Sequence, residues 1–448
     1  MKMPSFDFVI IGGGTSGLVL ASRLSEDLSR RVLVLEAGSD HSDDPRVNTP
    51  ALFLTLLKSE ADWAFETTPQ TNLKGRSISL QQGLALGGSS AINAQVFVPP
   101  SKGLIDAWGS LGNEGWNWDV LGQYFAKAYS SIQPSFAGDL SHPIRETWAE
   151  AFKANGHLMA TDPLLNPSVG AFNLHSSIHP EKKERSYAVS AYYHPIKQRE
   201  NLKVLTNAVV EKILFDDAQP PKAIGVQYKH GDESKTVSAI KEVILAAGVF
   251  QSPKLLELSG IGDAKLLQRH GIKVIQDLPQ VGENLHDHLV CYISYETVDD
   301  VFTLDSLVRQ EPEVIQQAMS EYTTKKSGML SSVGVYTCAY LPLVEGPTGG
   351  GYKQLRELLR QNRPSAGGQF DHARTKIYYD VAEKAFLDPE QPSAAHFTAL
   401  AQQILPVDPN SNSPAGPVPG NFVSFGVMLS HPLSRGSVQC SEPLHQLH

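Results

Sequence analysis

Phe6-Asp-Phe-Val-Ile-Ile-Gly-Gly-Gly-Thr-Ser-Gly17 and, after it, Val32-Leu-Val-Leu-Glu36 decide the fold of this chain. The apolar run Phe8 to Ile11 reads as a short buried strand, and Leu18, Leu20, Ala21 and Leu24 form an apolar-periodic helix after the glycines. Between them, Gly12, Gly14 and Gly17 have the G-x-G-x-x-G spacing of a strand-to-helix turn that accepts a dinucleotide. Gly12 permits the turn, Gly14 lets backbone amides approach a pyrophosphate, and Gly17 permits close helix–strand packing. The phosphates then face the partially positive start of the helix. Glu36 ends the next strand about 20 residues beyond Gly17, where an acid receives hydrogen bonds from ribose hydroxyls. A glycine-rich turn alone can serve tight packing and nothing else. Strand, glycines, helix, second strand and acid in this order point to a nucleotide cofactor, with FAD and NAD undivided because they share the ADP half.

At 448 residues the chain exceeds the size at which one hydrophobic core stops growing, so two domains are expected. Hydrophobic residues at 41% and charged residues at 19% describe an ordinary globular protein. The formal net charge of -9 argues against a nucleic-acid surface. Cys291, Cys338 and Cys440 are far apart and show no C-x-x-C spacing, which excludes a disulfide framework and a cysteine metal site. Met1 to Asp7 supply neither the apolar stretch nor the cleavage site of a secretory signal, and no N-x-[ST] sequon or bilayer-length apolar run occurs. The expectation is a cytoplasmic protein with no membrane span.

Further along, Asn117 reads as the cap of an amphipathic helix carrying Val120, Leu121, Tyr124, Phe125 and Ala128. Residues 202–215, 223–229 and 236–245 alternate apolar and polar, a meander of antiparallel strands. The last run leads into a second strand-to-helix crossover, with Ser252 as N-cap, Pro253 as first helical residue and Gly260 as stop. Gly346 to Gly351 and Pro406 to Gly420 read as surface loops, and Asn421 to Leu429 as one late strand. A dinucleotide start, a meander, and a return to the parallel sheet is the order expected of a flavoprotein's FAD domain.

The second signal is Leu86-Gly-Gly-Ser-Ser-Ala-Ile-Asn-Ala-Gln-Val-Phe97. Together with Glu36 it resembles the glucose–methanol–choline (GMC) oxidoreductase family. Asp62-Trp63, the Trp108 to Trp118 segment, Arg185-Ser-Tyr-Ala-Val-Ser-Ala-Tyr192, Ser252 to Gly262, Leu278 to His288 and Leu429 to Gly436 resemble the family in the same order. Leu84 and Val249 depart from its usual residue types without removing a chemical group. The resemblance implies a mixed α/β fold. Residues 1–130 and 195–290 would form a Rossmann-like FAD-binding domain with a β-meander, and residues 131–194 and 291–448 a substrate-binding domain with an antiparallel sheet and helices. It implies an FAD-dependent oxidoreductase that passes hydride from the alcohol group of a small organic substrate to flavin N5, with secondary metabolism as one setting. It places Thr15 and Ser16 at the phosphates, and Gly88, Ser89 and the Asn93, Ala94, Gln95 and Val96 backbone along the flavin and pyrophosphate. Val209 would meet the adenine through its backbone, and Ala37 and Trp63 complete the cofactor set.

In this family a histidine near the flavin takes the hydroxyl proton and a second His or Asn assists, both from a C-terminal segment with a His-Pro-x-Gly-Thr-Cys-like motif. After Ser434-Arg-Gly-Ser-Val-Gln439 the residues Cys440 to His448 match neither, so no catalytic residue is assigned. The expectation is a chain that stops short of the closing strand and helix. It would be slowed by ~10²- to 10⁴-fold for want of the base, with weakened flavin affinity and a tendency to aggregate. His431 matches a structural strand-entry position, His445 and His448 lie in a patternless tail, and His286 and His288 lack the third ligand a zinc site needs. Three alternatives stay open: a catalytically defective flavin-binding chain, a lyase or cyclase that keeps FAD as a structural element, and an NAD-linked dehydrogenase.

Overall fold

The computed structural model describes residues 4–136, 138–157, 163–164, 169–298, 300–343, 351–363, 373–403 and 416–441. They form two compact units. The first comprises Met1–Ala94, Arg185–His286 and Arg435–His448, the second Gln95–Glu184 and Asp287–Ser434. These breaks differ from the boundaries at 130, 195 and 290 that the resemblance implies. One reason lies in the contacts of residues 435–441: Leu285 N donates to Gly436 O at 2.9 Å and Val438 N to Gly282 O at 2.7 Å, which returns this stretch to the first unit.

In the first unit a six-stranded sheet is built on β1 (Ser5–Ile11). Helix α1 (Thr15–Leu24) follows, then β2 (Val32–Leu35), α2 (Pro45–Asn48) and α3 (Ser89–Ile92). The second span adds β3 (Leu202–Leu205), β4 (Ala208–Phe215), β5 (Ala223–His230), β6 (Glu233–Leu245) and α4 (Gly248–Leu258). The strand order is β3-β2-β1-β6-β5-β4. β3, β2, β1 and β6 run parallel, whereas β6, β5 and β4 pair antiparallel. Alternate residues of β1 and β2 serve two cores, as the two-residue period of a strand requires. Val9, Ile11, Leu33 and Leu35 pack with the meander and with Leu255 of α4, while Phe8, Ile10, Val32 and Val34 pack with Ala21 of α1. β6 belongs to both parts of the sheet: Ser238 opposes Ser5 of β1 in the parallel pairing and Gly225 of β5 in the antiparallel one.

Two local expectations need correction. The run 202–215 is two strands, because Asn207 takes a left-handed φ of 54° and ends β3 in the parallel sheet before β4 starts the meander. Asparagine tolerates that region better than most residues. The crossover helix begins at Gly248, not at Pro253. Gly248 holds a φ of +81° that glycine alone adopts freely, so the chain turns into α4 earlier and Pro253 falls inside the helix. Its stop is as expected, with Gly260 at φ +93°.

The second unit holds a five-stranded antiparallel sheet in the order Val290–Glu296, Phe422–Leu429, Ala394–Ala399, Thr337–Leu341, Gly170–Asn173. The late strand is thus present one residue inside its expected start. Helix Pro143–Ala154 lays Trp148 on this sheet, where the indole N–H donates to Cys338 O at 3.2 Å. The Asn117 side chain caps helix Trp118–Ile132 by accepting from Val120 N at 3.1 Å, as expected. Most of the anticipated 346–351 and 406–420 loops, and His445 and His448, lie outside the described residues. No helix among the described residues is long and apolar enough to cross a membrane.

Candidate cofactor site

Gly12 N donates to Leu35 O at 2.8 Å, tying the glycine turn to β2. A Cβ built on Gly12 would meet Ala246 O at 2.4 Å, and one on Gly17 would meet Gly12 O at 1.9 Å. Both glycines are therefore demanded by the protein's own packing. Gly13, which spacing alone does not single out, is crowded as well, by Leu86 Cδ1 at 2.9 Å and Glu36 Cβ at 3.0 Å. Gly14 differs. Its nearest atom would be Gly88 Cα at 3.6 Å, ordinary contact, so nothing in the chain forbids a side chain there. Gly14 is also the N-cap of α1 with no side chain accepting from the helix, and Thr15 and Ser16 behind it are exposed. The first amides of this ten-residue helix thus point outward at its partially positive end.

Glu36 is 6% exposed. Its Oε2 accepts from Gly13 N at 2.7 Å and its Oε1 from Gly38 N at 2.8 Å. Burial dominates its titration and raises it to about 7, with the amides of Gly38, Gly13 and Ala37 pulling the other way. A carboxylate has about four acceptor sites, so these amides leave acceptor capacity for a ligand. Beside it, Ala208 N donates to Glu36 O at 2.8 Å, which brings β4 and the exposed Val209 against the end of β2.

The second glycine turn docks on the first. Gly87 N donates to Gly13 O at 2.8 Å, and Gly87 and Gly88 hold positive φ values of 97° and 54°. Ser89 Oγ accepts from Gly83 N at 3.2 Å, while Asn93 accepts from the Arg185 guanidinium through both its carbonyl and its side-chain oxygen. Trp63 stacks on Phe65, with centroids 5.8 Å apart, and its backbone amide donates to Gln82 O at 2.8 Å. The fold therefore gathers Gly12, Gly14, Thr15, Ser16, Gly17, Glu36, Ala37, Gly88, Ser89 and Val209 around two touching turns. Gln95 and Val96 belong to the second unit, where Gln95 O accepts from Ser177 N at 2.8 Å and Val96 pairs with Ser176.

Two histidines singled out by the sequence, His288 and His431, have packing and backbone partners in the second unit. His288 Nδ1 bonds to Leu429 O at 2.9 Å. His431 packs edge-on against Phe386 and hydrogen-bonds the Pro392 backbone, and burial followed by His288 lowers its pKa below the usual imidazole range. In the first unit, His41, Asp44 and Glu60 bring potential ligand atoms within 4.8 Å of one another. Arg46 already bonds both carboxylates, however, and supplies the positive charge a cation would bring.

Residues 6–290 match the family model described as GMC oxidoreductase. The chain belongs to the GMC oxidoreductase family. Dehydrogenase citC of Monascus ruber is 39% identical, with 97% of this chain and 74% of the relative covered. An FAD-dependent oxidoreductase from Chaetomium thermophilum superposes with a TM-score of 0.81 at 28% identity, covering 98% of this chain and 76% of that one. A fungal aryl-alcohol oxidase gives 0.76 at 25% identity, covering 98% and 77%. As a GMC oxidoreductase the chain is an enzyme that works with a flavin. The outward amides of α1, the open face of Gly14 and the spare acceptor capacity of Glu36 fit the ADP end of such a group.

Proposed function

We propose that this GMC oxidoreductase binds FAD in its first unit and oxidises the alcohol group of a small organic molecule. One observation carries the binding half of this reading. Three glycines of the turn are needed by the chain itself and the fourth, Gly14, is not, which leaves close approach of a ligand as its reason. The α1 amides and the Thr15 and Ser16 hydroxyls take the pyrophosphate, Glu36 accepts from the ribose, and the backbone at Val209 meets the adenine. Gly88, Ser89, Asn93 and Ala94 line the flavin side, and Ala37 and Trp63 flank the set. When bound, the flavin supplies the hydride acceptor. The alcohol reading is supported by family membership and by the likeness to an aryl-alcohol oxidase. We assign the catalytic base to none of the described histidines, since His288 and His431 are held in packing and backbone hydrogen bonds.

The test is optical. Denatured protein should release a yellow flavin that chromatographs as FAD, and anaerobic mixing of the native protein with primary, secondary and aryl alcohols should bleach it with at least one of them. Protein that releases no flavin and takes up none from added FAD overturns the binding assignment. Flavin that stays yellow with every alcohol overturns the reaction.

A further inference from the structure

Arg185 begins the second span of the first unit and is 2% exposed. Its guanidinium is spread over three backbone segments. Nε donates to Val47 O at 2.8 Å, and Nη1 lies 3.2 Å from Ser90 O, 2.8 Å from Asn93 O and 2.8 Å from Asn93 Oδ1. Its own amide donates to Asn48 O at 3.0 Å. The acceptors are all neutral. Among the described residues no carboxylate forms an ion pair with it, and its Nη2 is buried without a hydrogen-bond partner. Burial lowers its pKa to about 9, so the group remains a cation at neutral pH.

A buried charge without a counter-charge is expensive to keep in the folded state. The carbonyls of Ser90 and Asn93 offset part of that cost, because they lie at the partially negative end of α3. That same short helix starts at Gly88 and Ser89, against Gly14. The cation therefore sits at the base of the segment assigned to the flavin, and its field is not cancelled by a neighbouring acid. In a low-dielectric interior such a field reaches well beyond contact distance.

We propose that Arg185 is a positioning residue for the flavin: it pins the Ser90–Asn93 turn to α2 and supplies an uncompensated positive charge that favours the reduced, more negative cofactor. This rests on the reading of the first unit as the FAD site. Two functions are joined in one side chain, and two substitutions separate them. Arg185→Lys keeps the charge and loses the planar fan of donors, whereas Arg185→Met loses both.

The experiment measures FAD affinity of apoprotein by flavin fluorescence quenching and the two-electron midpoint potential by dye equilibration, with thermal melting to confirm folding. Arg185→Lys is expected to weaken FAD binding at least tenfold and leave the potential unchanged. Arg185→Met should weaken binding further and bind reduced flavin at least tenfold less favourably relative to oxidised, a fall of about 30 mV. A purely structural arginine would alter melting and affinity but not the potential. Wild-type affinity in Arg185→Lys overturns the pinning role, and a wild-type potential in folded Arg185→Met overturns the electrostatic one. Failure of the unsubstituted protein to bind any flavin instead overturns the site assignment itself.

Discussion

Gly14 and Gly88 face each other unequally: a Cβ on Gly14 would stand 3.6 Å from Gly88 Cα, whereas one on Gly88 would stand 2.8 Å from Gly14 Cα. The first is ordinary contact and the second a clash, compounded by the positive φ of Gly88. A methyl group thus fits on the Gly14 side and not on the Gly88 side.

The contrast within the turn follows directly. Gly14→Ala should leave apoprotein stability within about 0.5 kcal/mol, as a strain-free change does, while weakening FAD binding at least tenfold. Gly17→Ala forces a methyl group to within 1.9 Å of Gly12 O and should destabilise the fold by roughly 3 kcal/mol or more. Denaturant melts and FAD titration of the two variants distinguish them. Equal loss of stability in both would contradict the reading of Gly14.

Glu36 gives a pH dependence of definite sign. Its carboxyl titrates at about 7 in the fold against 4.5 in the unfolded chain, so the folded state holds the proton more tightly. The stability this contributes is complete below pH 4.5 and is lost as pH rises through 7. Urea midpoints of the apoprotein should carry this decline between those values, and Glu36→Gln should remove it. Ribose hydroxyls that donate to the ionised form would pull the same group down, so FAD binding should release protons near pH 7, measurable by calorimetry in buffers of different ionisation enthalpy.

The three cysteines are expected to react in order of access. Burial pushes the thiols of Cys338 and Cys440 up to about 12, and Glu257 adds to the effect at Cys440, whereas Cys291 is exposed. At pH 8 a thiol reagent should label one cysteine in the native protein and all three after denaturation. Rapid labelling of Cys440 would show that residues 435–441 leave Glu257, whose Oε2 accepts the Cys440 amide at 2.7 Å.

In the second unit, buried Asp305 accepts from Gln402 N at 2.8 Å and from Phe422 N at 2.7 Å. Asp305→Ala strands two amides and should cost roughly 2 to 4 kcal/mol. Asp305→Asn keeps one acceptor and should cost less. Thermal melting of both variants checks the order.

Much of this arrangement could be read before any coordinates. The spacing of Gly12, Gly14 and Gly17 and the acid at Glu36 are local signals that report their own chemistry, and the Gly87-Gly88-Ser-Ser run marks the second turn. Spacing could not say which glycine is crowded and which has room, because that depends on Ala246 and Gly88, remote in sequence. Pro253 misled for a related reason. Its preference for the first helical turn is a tendency, and the left-handed Gly248 ahead of it governs where the chain turns. The work of Arg185 was hidden altogether, since its acceptors lie 92 to 138 residues away along the chain. Gly13, the middle glycine of the run, lies outside the G-x-G-x-x-G spacing, and its crowding by Leu86 and Glu36 is a property of the fold.

β6 also has a consequence for biosynthesis. β1 is made long before its partner across one edge, which comprises residues 238–245. At bacterial or eukaryotic elongation rates of about 5–20 residues per second, that edge waits on the order of tens of seconds. β2 covers the other edge early, but β3 too is far downstream. The nascent chain therefore carries a bare, strongly apolar two-stranded fragment through much of its synthesis, the kind of surface that chaperones shield and that makes expression sensitive to temperature.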